Sequence, residues 1–278
     1  LLAAALTCYS FDGRRLVRKS VLPLRLELSP FLDAGTHAKT YAQDGIVQIH
    51  NVLSPASADT VADILEQQIN WQLSLSEAGD PQHGRYDAAR ANAIGQNALN
   101  ARIAAVLRRA RSEFAFLYLT YPMIEAYLAG KDLGHPIHEV SEFLNGAEFL
   151  QLLRAVTGRH DILKAYALAT HYRPGDFLTV HTDTSKDMAA EDRVCTYTLG
   201  FTRQWRVDWG GQLLFYDETG LITRGLPPAF NTLTLFTVPR AHAVAVVSPF
   251  TGAPRLSIVG WGRSDPGPKI AGDSTKLR

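Results

Sequence analysis

Sulfur is scarce in this chain: two cysteines, Cys8 and Cys195, and two methionines in 278 residues. Two thiols cannot build a disulfide framework, so the chain is not a small stapled secreted scaffold. It fits a reducing, cytoplasmic setting, with Cys195 expected as a buried structural thiol. Long hydrophobic runs are missing too. No stretch approaches the roughly 18 apolar residues that a bilayer-spanning helix needs, so no membrane partner is expected. The opening LLAAALTCYS is apolar but has no initiating Met and no basic segment before it. That speaks against a secretory signal and for a truncated or upstream-extended start. An excess of charge of one sign is also absent: 28 Lys and Arg stand against 27 Asp and Glu. A net charge this small gives no reason to expect a nucleic-acid partner.

What is present is apolar content, 46% of the residues, enough to bury a sizeable core. The organisation expected is an N-terminal extension over 1–35, one domain over 36–265 and a tail over 266–278. Within the domain, 53–160 would be helical support and 161–265 a barrel. Arg14, Arg15, Arg18, Lys19 and Arg25 in the extension read as a solvated terminal cluster. DGIVQIHNVLS reads as a strand after a turn, and Ser54-Pro55 as the start of a helix carrying Val61, Ile64, Leu65 and Ile69 on one face. The polar, Gly-bearing stretch 74–92 reads as a long loop. Residues 97–119 and 140–156 read as helices, the second closed by Gly158. His135 and His138 flank a proline that breaks their geometry, so they are not expected to bind metal.

From Lys164 onward the period becomes strand-like. LKAYALATHYR, FLTVHTD, RVCTYTLGF, GGQLLFYD, GLITR, NTLTLFTV, AHAVAVVS and RLSIVGWG are eight short β-rich runs broken by turn residues. Many short strands of this kind indicate a sandwich or jelly-roll barrel within an α+β chain. In a strand, His181 and Asp183 share a face, with Thr182 opposite. A second imidazole, His242, lies in a later run. Two His and one carboxylate on one side of a metal suit non-haem Fe(II) and leave positions open. Arg255, in a third run, has the planar fork that grips a carboxylate at two points, and Ser257 shares its face.

In HYRPGDFLTVHTD, WRVDWGGQLLFYD, NTLTLF and His242 followed by RLSIVGW, the chain resembles the iron- and 2-oxoglutarate-dependent dioxygenases. Within them it is most similar to the prolyl-hydroxylase-like branch, closest in wording to ribosomal-protein prolyl hydroxylases and their bacterial relatives. The resemblance is good in the C-terminal part and loose in the first half. It implies a double-stranded β-helix buttressed by N-terminal helices, with Fe(II) held by His181, Asp183 and His242. It further implies 2-oxoglutarate gripped by Arg255 and Ser257, O2 as oxidant, and ascorbate as an accessory reductant. The implied reaction is hydroxylation of an unactivated C–H bond, with succinate and CO2 as coproducts. Asp183 argues for hydroxylation, because halogenating members carry a small residue there. Tyr172 matches the tyrosine that bonds the cosubstrate carboxylate. One departure stands out: where prolyl hydroxylases read Tyr-Leu-Asn, this chain reads Thr198-Leu199-Gly200, so the second pocket tyrosine is absent or displaced to Tyr197. Trp205, Trp209 and Trp261 are candidates for lining a substrate cleft, Trp261 foremost. The expected substrate is a prolyl residue of a protein, with a free amino acid or small natural product as the alternative. A barrel that binds metal without turnover is the non-enzymatic reading.

Overall fold

Alternation of side chains decides the architecture. The computed structural model describes residues 24–77, 84–184 and 192–267. In chain order the elements are α1 (Ala34–Asp44), β1 (Ile46–His50), α2 (Pro55–Gln67), β2 (Gln72–Leu75), β3 (Arg85–Tyr86), α3 (Ala88–Ile94), α4 (Gln96–Arg109), β4 (Phe116–Tyr121), α5 (Met123–Leu128), α6 (Ile137–Leu144) and α7 (Ala147–Thr157). There follow β5 (Lys164–Tyr172), β6 (Phe177–His181), β7 (Arg193–Gly200), β8 (Leu213–Tyr216), β9 (Ile222–Leu226), β10 (Thr232–Thr237), β11 (His242–Val244) and β12 (Arg255–Arg263). The eight strands from β5 onward coincide with the eight runs read from the sequence. Their order in the sheet is β1-β10-β7-β12-β5-β4-β6-β11-β8-β9, with β2 and β3 attached beside β4. Every pairing is antiparallel.

The ladder sorts the two faces. Ile49, Leu233, Leu199, Ile258, Ala169 and Tyr121 form one continuous rung. All of them are buried against the helices, in a cluster that includes Ile64, Leu65, Phe149 and Leu153. Gln48, Thr234 and Thr198 form a rung of the opposite parity, and Thr232, Gly200, Ser257, Thr170 and Thr120 form another. One face is therefore hydrocarbon and packs on helices, while the other is largely hydroxyl and lines a cavity. The sheet curls around that second face: Thr196 of β7 donates to the carboxylate of Asp183 just beyond β6, although β12, β5 and β4 lie between those strands in the sheet order. This is a double-stranded β-helix buttressed by helices.

Local signals set the helix ends. Asp33 caps α1 by accepting from Thr36 N at 3.1 Å, and Ser54 caps α2, with Pro55 in its first turn. Such caps contribute about 1 kcal/mol each. Gly45 and Gly158 close α1 and α7 at φ 64° and 69°, where an L side chain is strained.

Several expectations are corrected. The stretch 97–119 is not one helix: α4 stops at Arg109 and Phe116–Tyr121 is a strand. A short apolar run such as FAFLYLTY suits either element, and here three neighbouring strands decide the matter, since β4 pairs β2, β5 and β6. The stretch 140–156 is two helices, broken at Asn145-Gly146. Asn145 turns its amide onto β5, accepting from Ala165 N and donating to Ala165 O, each at 3.0 Å. The loop expected over 74–92 contains β3 and α3, the latter capped by Asp87, and residues 78–83 of it lie outside the described residues. Residues 24–35 pack on the domain rather than extending from it: Leu24, Leu26 and Leu28 lie against the core, and Ser29 N donates to Val52 O at 2.9 Å. The remaining basic residues of the extension and the tail beyond Gly267 fall outside the described residues. Among the described residues no helix is long and apolar enough to cross a membrane.

Gly200 explains part of the departure at Thr198-Leu199-Gly200. A Cβ there would lie 2.1 Å from the Ala229 carbonyl oxygen, a backbone atom that cannot step aside cheaply. Gly200→Ala should therefore cost on the order of 3 kcal/mol, the upper end of overpacking penalties, read as a lowered urea midpoint at unchanged slope.

Candidate active site

The turn between β5 and β6 places the first groups. Asp176, buried in that turn, accepts from Arg173 N at 2.8 Å and from Arg173 Nε at 3.0 Å. Gly175 supplies the positive φ that the reversal needs. The chain then leaves along β6 to His181, whose cross-strand partner is His242 at the start of β11. The two rings lie 4.2 Å apart. Asp183 sits two residues past His181, at 3.5 Å from His181 Nε2 and 3.7 Å from His242 Nε2. One ligand atom from each of these three side chains falls within 4.8 Å of the others.

Hydrogen bonds settle which imidazole nitrogen faces inward. His181 Nδ1 donates to Thr179 O at 3.0 Å and His242 Nδ1 to Arg240 O at 2.8 Å, each to a carbonyl of its own segment. A neutral ring that donates from Nδ1 presents a bare lone pair at Nε2. With both rings neutral, two bare nitrogens and a carboxylate face one point, an arrangement that a cation resolves. Burial, with help from the neighbouring His181, drives the His242 pKa down to about 4, so that ring stays neutral at ordinary pH. Burial opposes ionisation of Asp183, but its neighbours His181, His242 and Thr196 outweigh that and hold the carboxyl far below the usual carboxylate range, so it stays an anion. The donor set therefore fits Fe(II), with one carboxylate and two imidazoles on one side.

Arg255 is buried on β12, 5% exposed. Its Nε donates to Gly211 O at 2.8 Å and its Nη1 to Ser257 Oγ at 3.1 Å. Gly211 is held at φ 67°, and a Cβ there would press on the Arg255 stem at 3.2 Å. Tyr172 lies opposite Arg255 across the β5–β12 ladder, with its ring centre 4.9 Å from the guanidinium carbon. Among the described residues no carboxylate pairs with Arg255, and burial pulls its pKa down. A buried guanidinium without an acid is costly, and a carboxylate ligand would supply the missing partner.

Of the six residues singled out by the sequence, His181, Asp183 and His242 come together as one cluster, and Arg255, Ser257 and Tyr172 form a second group on the neighbouring β5–β12 ladder. Tyr197 joins neither. It faces the helices, edge-on to Phe149 with ring centres 5.6 Å apart, and its hydroxyl donates to Tyr166 O at 2.8 Å. Trp205 and Trp209 pack on each other and on the Gly210-Gly211 turn, Trp205 Nε1 donating to Gly210 O at 3.0 Å. Trp261 shares a rung with Thr196 and Tyr166, beside Asp183. Two groups went unnoticed in the sequence: Thr196, bonded to the Asp183 carboxylate, and Arg193, bonded to the Asp183 carbonyl and stacked 4.0 Å over Trp261. The alternation in RVCTYTLG, with Thr196 and Thr198 on one face, was the available signal for Thr196. His135 and His138 bond backbone carbonyls of Gln68 and Lys131, as expected of histidines without a metal role.

The barrel segment 167–263 matches the family model of the 2OG-Fe(II) oxygenase superfamily. Through that segment, which carries the His-Asp-His cluster and Arg255, the chain is similar to the 2OG-Fe(II) oxygenases. Two solved structures share its fold. One is a prolyl hydroxylase from Trichoplax adhaerens, in complex with a hypoxia inducible factor oxygen degradation domain peptide fragment. It is 15% identical over 83% of this chain and 89% of that one, with a TM-score of 0.53. The other is an oxidoreductase of the 2OG-Fe(II) oxygenase family from Burkholderia pseudomallei, 13% identical over 86% and 96% of the two chains, TM-score 0.53. No match is found among curated proteins.

Two outcomes follow for the metal-free and metal-loaded protein. His181→Ala or Asp183→Ala should abolish stoichiometric iron binding, measured by metal analysis after anaerobic loading and gel filtration. Without metal, stability should fall as pH drops from about 6.5 toward 4. The unfolded chain has ordinary imidazoles near ~6.5. In the folded state burial depresses both His171 and His242 to about 4. The unfolded chain therefore takes up two protons that the folded one refuses, and the stability present above the unfolded value is lost across that window. Urea titrations between pH 7.5 and 4 measure the slope, which His171→Phe should roughly halve.

Proposed function

We propose that this chain is an Fe(II)- and 2-oxoglutarate-dependent dioxygenase that hydroxylates an unactivated C–H bond of a prolyl residue in a protein, releasing succinate and CO2. The observation that carries the reading is the convergence of three metal-binding atoms, accompanied on the same curled sheet by a buried arginine with no acid partner among the described residues. The bound iron and its 2-oxo acid, with O2, supply the oxidising chemistry, and ascorbate belongs to the same reading as the reductant that keeps the iron ferrous.

The work left to the chain is positioning. The carbonyls of Thr179 and Arg240 fix both imidazole tautomers, so Nε2 of each would bind the metal. The Thr196 hydroxyl holds Asp183 by one oxygen and leaves the other toward His181. Arg255, steadied by Gly211 O and Ser257, would grip the far carboxylate of 2-oxoglutarate, with Tyr172 flanking it. Thr170 bonds the Ser257 hydroxyl at 2.8 Å and steadies that end. On the rung that carries Thr196, Trp261 and Tyr166 have ring centres 5.2 Å apart. Their aromatic faces suit a compact apolar ring such as that of proline. This supports the prolyl reading, together with the resemblance in HYRPGDFLTVHTD and RLSIVGW.

The reading is tested by succinate release from 2-oxoglutarate by iron-loaded protein, with and without proline-containing peptides. A gain of oxygen on a prolyl residue in a treated extract supports it. Absence of succinate under every condition, with iron bound, favours a binding-only barrel. Arg255→Lys should leave iron content unchanged and raise the half-saturating 2-oxoglutarate concentration at least tenfold, since an ammonium cannot satisfy Gly211 O, Ser257 and a carboxylate at once.

A further inference from the structure

The inner wall opposite Arg255 contains a strand that lies outside the matched segment. β4 is inserted between β5, which carries Tyr172, and β6, which carries His181. Leu119 lies opposite His171, so Tyr118 comes alongside Tyr172. The two rings stack with centres 4.8 Å apart at 22°. Phe116 continues the row at 5.4 Å from Tyr118, and Phe114, two residues earlier, reaches the His181 ring at 5.2 Å. This wall runs from the metal-binding cluster to the arginine. Tyr172 lies against the guanidinium of Arg255, and Tyr118, between Tyr172 and Phe116 in the row, feels the charge of Arg85 and, less strongly, that of Asp183. A five-carbon dicarboxylate stretched between Arg255 and the His-Asp-His cluster must pass both rings.

The opposite side of the cavity lacks an aromatic hydroxyl. Thr198 stands where the related enzymes carry tyrosine, Tyr197 points into the helical core, and the Ala229 carbonyl closes the space at Gly200. Among the described residues the Tyr118 hydroxyl has no hydrogen-bond partner, and burial raises its pKa to about 12, so it remains a donor.

We propose that Tyr118 is the second cosubstrate-binding tyrosine of this chain, its hydroxyl donating to 2-oxoglutarate between the His-Asp-His cluster and the end held by Arg255 and Tyr172. The assignment rests on the 2-oxoglutarate reading above. It adds a residue from a strand that pairs with both halves of the curled sheet, and so it ties cosubstrate binding to the correct docking of β4.

The test is calorimetric titration of 2-oxoglutarate into anaerobic Fe(II)-loaded wild-type protein and Tyr118→Phe, with iron content and melting temperature measured alongside. Phenylalanine keeps the stack on Tyr172 and removes only a hydroxyl that no described protein group holds, so the variant should fold and load iron like the wild type. Loss of one hydrogen bond to a charged group should weaken 2-oxoglutarate binding about tenfold or more. Tyr118→Leu, which also removes the stack, should weaken it further. Wild-type affinity within twofold in Tyr118→Phe overturns the inference. So does an effect confined to the KM of the oxidised substrate, which would put Tyr118 on the substrate side. If wild-type protein itself gives no 2-oxoglutarate binding, the cosubstrate reading fails and this inference falls with it.

Discussion

Two imidazoles are tied by their outer nitrogens to the carbonyls of Thr179 and Arg240, and most of the cavity's chemistry depends on that restraint. It leaves two lone pairs aimed at a carboxylate, a set of acceptors that repel one another unless a cation lies among them. The same restraint makes β6 and β11 mutually dependent, because His181 and His242 are cross-strand neighbours and neither ring can turn without disturbing the other. Asp183 is then held from across the cavity by Thr196, so the two halves of the curled sheet meet at the metal-binding cluster.

The sheet separates two kinds of stability by side-chain parity. Residues of one parity, such as Leu199, Leu235 and Ile258, bury hydrocarbon against helices and supply most of the driving force for folding. Residues of the other parity are Thr170, Thr196, Thr198, Thr234 and Ser257; Thr170 and Ser257 bond each other, Thr196 bonds Asp183, and Thr234 accepts from Gln48. A polar interior of this kind is expensive unless its groups are paired. Here much of the pairing is internal, and the largest uncompensated charge, Arg255, stands where a dicarboxylate would bind.

The C-terminal half was largely legible. Its eight strands were visible as short alternating runs because each carries its own hydrophobic face. His181, Asp183, His242 and Arg255 stood out because ionisable groups are rare in such runs, whereas Tyr172 stood out only through the family resemblance. The first half was less legible where tertiary pairing overrides local preference. FAFLYLTY has the apolar density of either element, yet the period-two set Phe114, Phe116 and Tyr118 was present and becomes decisive once β5 and β6 flank it. Residues 140–156 keep helical periodicity across a break, since Asn145 leaves the helix to bond β5, a partner that lies 20 residues away in sequence. Tyr197 and Thr198 differ by one position, and only strand register shows which of them faces the cavity.

By itself the sequence determined the strand-rich barrel, the residue types able to bind a metal and a carboxylate, and the caps that start and stop several helices. These follow from local rules, namely side-chain period, capping geometry and the pKa and shape of individual groups. Only the tertiary structure decided that the imidazoles present Nε2, that Asp183 is braced by Thr196, that Arg255 has no acid partner among the described residues, and that β4 lies between β5 and β6. Each of those depends on contacts between residues far apart in the chain, which no local pattern encodes, because the curl of the sheet brings them together.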